Sequence, residues 1–148
     1  MEFGLKMMKR CAWGGITCTA NTVISIDLDN KNLHGRITDD LGLLKALQTL
    51  NLGGNESTGK IPSSLGKLSA LTWLDLFTNS LNGRIPDDLD LLTALTSLGL
   101  HENALIGTIP SSLGLLTKLE ACFGLWNAEI VPREIFGKSH FFIDGISV

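Results

Sequence analysis

Residues 71–86 read Leu-Thr-Trp-Leu-Asp-Leu-Phe-Thr-Asn-Ser-Leu-Asn-Gly-Arg-Ile-Pro, and this stretch decides the fold. Leu74 and Leu76 flank one polar residue, so the segment alternates with the period of two that indicates a short β-strand. The asparagine and glycine that follow are residues typical of turns. The stretch therefore predicts a strand with its leucines inward and its intervening residues exposed, ending in a tight turn.

The same pattern recurs every 24 residues through most of the 148-residue chain. A repeat of this length is typical of a solenoid in which each unit forms one coil. Because similar coils stack in register, their strands should lie side by side in a parallel sheet. The asparagine that ends each strand should hydrogen-bond to turn backbone, and these residues form a predicted internal ladder: Asn55, Asn79, Asn103 and Asn127.

These residues carry a family resemblance. Residues 71–86 closely resemble the plant-type leucine-rich repeat, and Cys11-Ala-Trp-Gly-Gly-Ile-Thr-Cys18 resembles the end of the N-terminal cap of plant extracellular leucine-rich-repeat proteins. The resemblance covers residues 11 to about 127. It implies an α/β repeat fold, a right-handed solenoid with a parallel β-sheet on its concave face and short helical or 3-10 turns on its convex side. It also implies a disulfide between Cys11 and Cys18, which leaves Cys122 unpaired.

The pattern divides the chain into three parts. Residues 1–19 are predicted to be a partial N-terminal cap, residues 20–139 about five repeats with a degenerate fifth, and residues 140–148 a C-terminal tail or makeshift cap. Acidic pairs at 39–40 and 87–88 fall where each convex turn begins. There we expect them to cap the turn and to complement its dipole.

Several functional classes find no support in the sequence. The three histidines, His34, His101 and His140, lie far apart without a nucleophile motif, so we expect no enzyme, no cofactor and no metal site. With 12 Lys and Arg against 15 Asp and Glu, the chain has no basic excess for nucleic acid. No apolar run approaches the roughly 18 residues of a membrane span. The first ten residues also lack the apolar segment of a signal peptide, although the resemblance implies an extracellular or cell-surface location.

The remaining candidate residues are the outward positions of the strands. Stacking should bring aromatic and acidic side chains of adjacent strands onto one concave face, as in many recognition surfaces. The predicted ligand-binding residues are Trp73, Asp75, Phe77, His101, Glu102, Phe123 and Trp126.

Three functional hypotheses follow. The first is a noncatalytic recognition module that binds a protein, peptide or wall-glycan ligand, with a co-receptor, in receptor-type signalling or defence. The second is a secreted enzyme regulator that resembles the polygalacturonase-inhibiting proteins. The third is a fragment of the ectodomain of a receptor-like kinase whose kinase portion is missing from this chain.

Overall fold

A computed structural model of the chain describes residues 11–123, 140–143 and 146–147. In these residues the larger sheet lines the concave face of a right-handed solenoid. Its strands, in spatial order, are β1 (Ile16–Thr19), β2 (Thr22–Asp27), β4 (Thr49–Asn51), β6 (Trp73–Asp75), β8 (Ser97–Gly99), β10 (Ala121–Phe123), β11 (His140–Ile143) and β12 (Ile146–Ser147). The predicted parallel sheet of stacked coils is confirmed.

The register of this sheet advances by one repeat at every strand. Ser25 pairs with Thr49, Thr49 with Trp73, Trp73 with Ser97, and Ser97 with Ala121, all in parallel strands. Residues 24 apart are therefore neighbours across the sheet. Residues that occupy the same position in successive repeats therefore form a row of neighbouring side chains across the sheet.

A smaller sheet runs along the side of the solenoid. Its strands, in spatial order, are β3 (His34–Arg36), β5 (Glu56–Gly59), β7 (Ser80–Gly83) and β9 (Ala104–Leu105). Gly59 and Gly83 lie at the ends of their strands with φ of +80°, a conformation that residues with a Cβ avoid. The glycine column therefore supplies the bend that turns each coil toward its convex side.

In the described part of the chain, the convex side carries four short 3-10 turns, at Asp39–Leu43, Ser63–Lys67, Asp87–Leu91 and Ser111–Leu115. The predicted capping by the acidic pairs is wrong. The first turn is capped by Thr38, whose hydroxyl accepts a hydrogen bond from the backbone N–H of Asp40, and the N-cap of the third is Pro86. The aspartates instead occupy the first turn, because a proline or threonine already stands at each cap. There they still complement the dipole.

The core is a stack of leucines between the two sides of each coil. Leu50, Leu74 and Leu98 are each 0% exposed, and they occupy one column of successive strands. Full burial of such a side chain contributes about 1.5–3 kcal/mol relative to exposure. The repeated leucines therefore provide the main stabilisation of the stack.

The asparagines join each coil to the one before it. The amide Nδ2 of Asn55 donates to the carbonyls of Leu28 (2.8 Å), Leu52 (2.9 Å) and Gly53 (2.8 Å). Its Oδ1 accepts from the backbone N–H groups of Lys31 and Leu33, both at 3.0 Å. Asn79 and Asn103 repeat the same donor pattern one and two coils later. Asn127 lies outside the described residues.

The two ends of the larger sheet are closed by antiparallel strands. At the N-terminal end β1 pairs antiparallel with β2, and a disulfide joins Cys11 to Cys18, as the resemblance implied. At the other end β11 adds to β10 in parallel and β12 pairs antiparallel with β11. No helix in the described part of the chain has the length and apolar character to cross a membrane.

Candidate ligand-binding face

The concave face consists of the outward side chains of β2, β4, β6 and β8 and of the residues just after each strand. Trp73 is the large apolar side chain that this face presents to solvent, with 45% of its surface exposed. The next residue, Leu74, is 0% exposed because the strand alternates. Trp73 is thus held at the surface by the same periodicity that buries the leucines.

Trp73 and Asp75 point to the same side of β6, and they are bonded to each other. The indole Nε1–H of Trp73 donates to Oδ2 of Asp75 at 2.7 Å. The carboxylate is only 9% exposed, whereas the sequence pattern predicted an exposed side chain. The difference arises because the neighbouring strand has Gly99 opposite Asp75: a Cβ there would collide with Oδ1 of the carboxylate. The carboxylate of Asp75 therefore packs against the sheet, beside the indole of Trp73.

This environment changes the acidity of Asp75. Burial raises the pKa of the Asp75 carboxyl above its ordinary value of 3.8, and this is the largest effect. The hydrogen bond from Trp73 and the charge of His101 lower the pKa, whereas the negative charges of Asp29 and Asp27 raise it further. The carboxylates Asp27, Asp29 and Asp75 and the imidazole of His101 thus share one electrostatic environment.

Phe77 and His101 form an aromatic stack one coil apart. Their ring centroids are 5.0 Å apart and their planes differ by 3°. On its other side the ring of Phe77 covers Gly53, where any Cβ would collide with it. Glycine at position 53 therefore makes the space in which Phe77 lies flat, and His101 of the following coil stacks on Phe77.

Just beyond the strands, Thr78 and Glu102 continue the face. The hydroxyl of Thr78 donates to Oε2 of Glu102 at 2.7 Å. Both residues have positive φ, +46° and +52°, as do Asn30 and Gly54 at the equivalent positions of earlier coils. A β-branched residue is rare in this conformation, so the turn holds the backbone of Thr78 in a region that threonine disfavours.

The structure brings five of the seven predicted ligand-binding residues together: Trp73, Asp75, Phe77, His101 and Glu102. The backbone of Phe123 lies in β10, next to β8, but its side chain is outside the described residues, as is all of Trp126. Sequence reasoning missed Asp27 and Asp29 as members of the site, and missed Gly53 and Gly99 as the residues that make room for it. The available signal was their position in the same columns, one or two repeats away.

A second concave region lies on the side of the solenoid, between the smaller sheet and the convex turns. Three cations line it, one from each of three coils: Arg36, Lys60 and Arg84. Asp39 and Asp87 line it as well, so this lateral groove, of about 780 Å³, carries both signs of charge. None of its three cations forms an ion pair with another residue in the described part of the chain.

Among the residues that the structure describes, no three His, Cys, Asp or Glu side chains are grouped so that they could hold a metal ion. The concave face instead combines a flat aromatic surface with carboxylates on a rigid sheet, an arrangement suited to binding.

Comparison with known proteins identifies the repeats. The leucine-rich-repeat family profile matches residues 46–68 and 70–92. Phytosulfokine receptor 1 of Arabidopsis thaliana is 44% identical over 48 residues, a match that covers 30% of this chain and 5% of the receptor. The chain thus spans only about one twentieth of the length of this curated relative.

Solved structures match over more of the chain. The Arabidopsis thaliana BIR3–SERK2 complex contains a chain that is 32% identical with a TM-score of 0.73, and the match covers 89% of this chain and 78% of that one. The plant peptide hormone receptor RGFR1, in complex with RGF2, is 31% identical with a TM-score of 0.73, over 84% of this chain and 24% of that one. By its repeats, its register and these relatives, the chain belongs to the plant leucine-rich-repeat family, in the form found in receptor ectodomains.

Proposed function

We propose that this chain is a noncatalytic recognition module that binds a peptide or protein ligand through its concave face. The observation that carries the proposal is the exposed indole of Trp73, set on a rigid strand beside the Phe77–His101 stack. Aromatic side chains of this kind are enriched among the residues that dominate binding energy. The core gains little from Trp73, because it lies on the side of β6 that faces away from the leucines.

The relatives support a receptor-type role in signalling or defence. The matched regions of the relatives are leucine-rich-repeat ectodomains, which are noncatalytic parts of their proteins. One structural neighbour is a peptide hormone receptor in complex with RGF2, and another is the BIR3–SERK2 complex. By analogy, a peptide ligand and a co-receptor are the partners that we propose for this chain.

An extracellular or cell-surface location fits the same proposal. Disulfides persist in oxidising compartments, and the Cys11–Cys18 bridge closes the cap at the end of the sheet. The relatives named above are receptors or their ectodomains.

The size of the face limits how tightly it can bind alone. Strands spaced at about 4.8 Å, each presenting a few residues, give a patch on the order of 300 Å² over five coils. A standard stable interface buries roughly 800 Å² per partner. We therefore expect the described face to bind an extended peptide weakly, with a second protein or further coils supplying the remaining area.

The proposal is tested by selecting ligands from a random peptide display library on the folded protein and on a Trp73→Ala variant. We expect peptides that are retained by the wild type and lost by the variant, with unchanged circular dichroism. A matched control is Trp13→Ala, which removes an exposed tryptophan from the N-terminal cap region. If every retained peptide binds both Trp73→Ala and wild type equally, the concave face is not the binding site.

A further inference from the structure

We infer that the ligand of the concave face is a basic peptide segment, whose arginine or lysine side chain packs on Trp73 and pairs with the carboxylates beside it. This inference rests on the proposed function and names the chemical class of its ligand. Three independent features carry it: the sign of the charge on the face, the shielded carboxylate oxygen of Asp29 that has no partner among the described residues, and the open surface of the indole.

The first feature is the charge of the face. The outward positions of the four described coils carry the carboxylates of Asp27, Asp29, Asp75 and Glu102, and none of them is lysine or arginine. The chain has 12 lysine and arginine residues in all, and none of them occupies these outward positions. A surface of one sign attracts a partner of the other sign and repels competitors. The charge of this face therefore disfavours an acidic peptide or a nucleic acid as its ligand.

The second feature is the state of the acceptors. Asp75 is nine-tenths buried, and its Oδ2 accepts from Trp73, whereas its Oδ1 lies where a Cβ at Gly99 would collide with it. In Asp29, Oδ2 accepts from the amide of Asn30 at 2.7 Å, whereas Oδ1 is shielded from solvent without a partner among the described residues. Buried carboxylates without full hydrogen bonding are costly. A bound cation would offset that cost, because it supplies both charge and donors.

The third feature is the indole. Its Nε1–H is already bonded to Asp75, so the ring is held in one orientation with about half of its surface open. A cation over the face of a tryptophan gains the largest cation–π attraction among the aromatic residues. A guanidinium can stack on the ring and still donate in its own plane, so arginine fits better than lysine. The Trp73–Asp75 pair therefore offers a stacking surface and an anion side by side.

The lateral groove gives the opposite preference. Arg36, Lys60 and Arg84 would favour an anionic partner, although Asp39 and Asp87 reduce the net charge there. The concave face has a negative net charge, whereas the lateral groove has more cations than anions. The charge of a ligand therefore indicates which of the two surfaces it binds. Binding of an acidic peptide to the groove is thus one outcome of the test.

The test uses three synthetic peptides of equal length in which glycine alternates with arginine, with citrulline or with glutamate. Citrulline keeps the shape of arginine without its charge. We expect the arginine peptide to bind at least about tenfold more tightly than the citrulline peptide, and the glutamate peptide not to bind detectably, by fluorescence anisotropy. Added salt should weaken the arginine complex.

Two matched variants locate the effect. Asp75→Asn removes the charge and keeps an acceptor for the indole, and we expect it to lower the affinity for the arginine peptide at least about fivefold. Asp88→Asn makes the same change of net charge in an exposed convex turn, and we expect no loss of affinity. Equal losses in both variants would overturn the inference, because the effect would then come from net charge alone.

The outcomes separate this inference from the proposed function. If the citrulline peptide binds as tightly as the arginine peptide and both require Trp73, the ligand is not basic, yet the concave face still binds it. If the glutamate peptide binds best and loses its affinity in Lys60→Ala, the lateral groove is the site and the inference is overturned. If neither these peptides nor the display library yields Trp73-dependent binding, the proposed function itself fails.

Discussion

The two sides of the strands on the concave face differ in how their residues vary from coil to coil. The inward side repeats the same residue in three successive coils, with leucine at 50, 74 and 98 and asparagine at 55, 79 and 103. The outward side changes from coil to coil, as in the row Thr49, Trp73 and Ser97. The repeated side supplies the packing and hydrogen bonds of the stack. Positions that repeat the same residue from coil to coil therefore stabilise the fold, whereas the positions that vary are available to bind a ligand.

The first prediction contrasts adjacent residues on the two sides of β6. Leu74→Ala should destabilise the fold by about 2–5 kcal/mol, because it opens a cavity at a fully buried site. Trp73→Ala, one residue away, should cost less, about 1–2 kcal/mol, because the indole is half exposed and the main loss is its hydrogen bond to Asp75. Urea unfolding followed by circular dichroism measures both. A similar loss for the two variants would mean that Trp73 belongs to the core.

The second prediction concerns the ladder. Asn79→Ala should cost about 1–3 kcal/mol, because it removes the hydrogen bonds that its amide donates to the carbonyls of Leu52, Leu76 and Phe77 and leaves the backbone N–H of Ser57 without its acceptor. The control is Lys31→Ala, which lies in the same column one coil before Asn55 but is exposed. We expect it to change the free energy of unfolding by less than about 0.5 kcal/mol. Equal effects at the two positions would show that the column has no common structural role.

The smallest predicted effect on stability depends on pH. Because burial raises the pKa of Asp75 in the folded state, the folded protein binds its proton more tightly than the unfolded chain does. Wild-type stability should therefore fall as the pH rises above 3.8 and through the raised pKa of Asp75. Asp75→Asn lacks this loss, so the variant should gain in Tm relative to wild type from acid to neutral pH.

Thermal unfolding of both proteins across that range measures the difference, and Asp88→Asn controls for the change of net charge. A constant gap between wild type and Asp75→Asn at all pH values would contradict the burial of a charged Asp75. A variant that gains stability near neutral pH and loses affinity for a basic peptide would mark Asp75 as a residue kept for binding at a cost in stability.

The architecture could be predicted from the sequence because it depends on one period. The leucine and asparagine columns predict the register, and the sheet pairs Thr49 with Trp73 and Trp73 with Ser97 as that period requires. The convex 3-10 turns follow from the same columns. Local capping could not be predicted as well, because the aspartates compete with Thr38 and the prolines for the N-cap.

The details of the concave face were harder to predict, because they depend on the size of neighbours in other coils. Asp75 is buried since Gly99 leaves it space, and Phe77 lies flat since Gly53 does the same. A column read along the chain shows which residues share a row. The sequence does not predict which side chain packs against a glycine of a neighbouring coil. The burial of Asp75 is therefore seen only in the structure.

The central claim is that the concave face, and not the lateral groove, is the binding surface. The most direct measurement is a ¹H–¹⁵N correlation titration of the folded protein with the glycine–arginine peptide. The account predicts that the amide signals of residues 73–78 and 97–102 and the indole signal of Trp73 shift together, while those of Arg36, Lys60 and Arg84 stay in place. Shifts confined to the groove residues, with Trp73 unmoved, would contradict it.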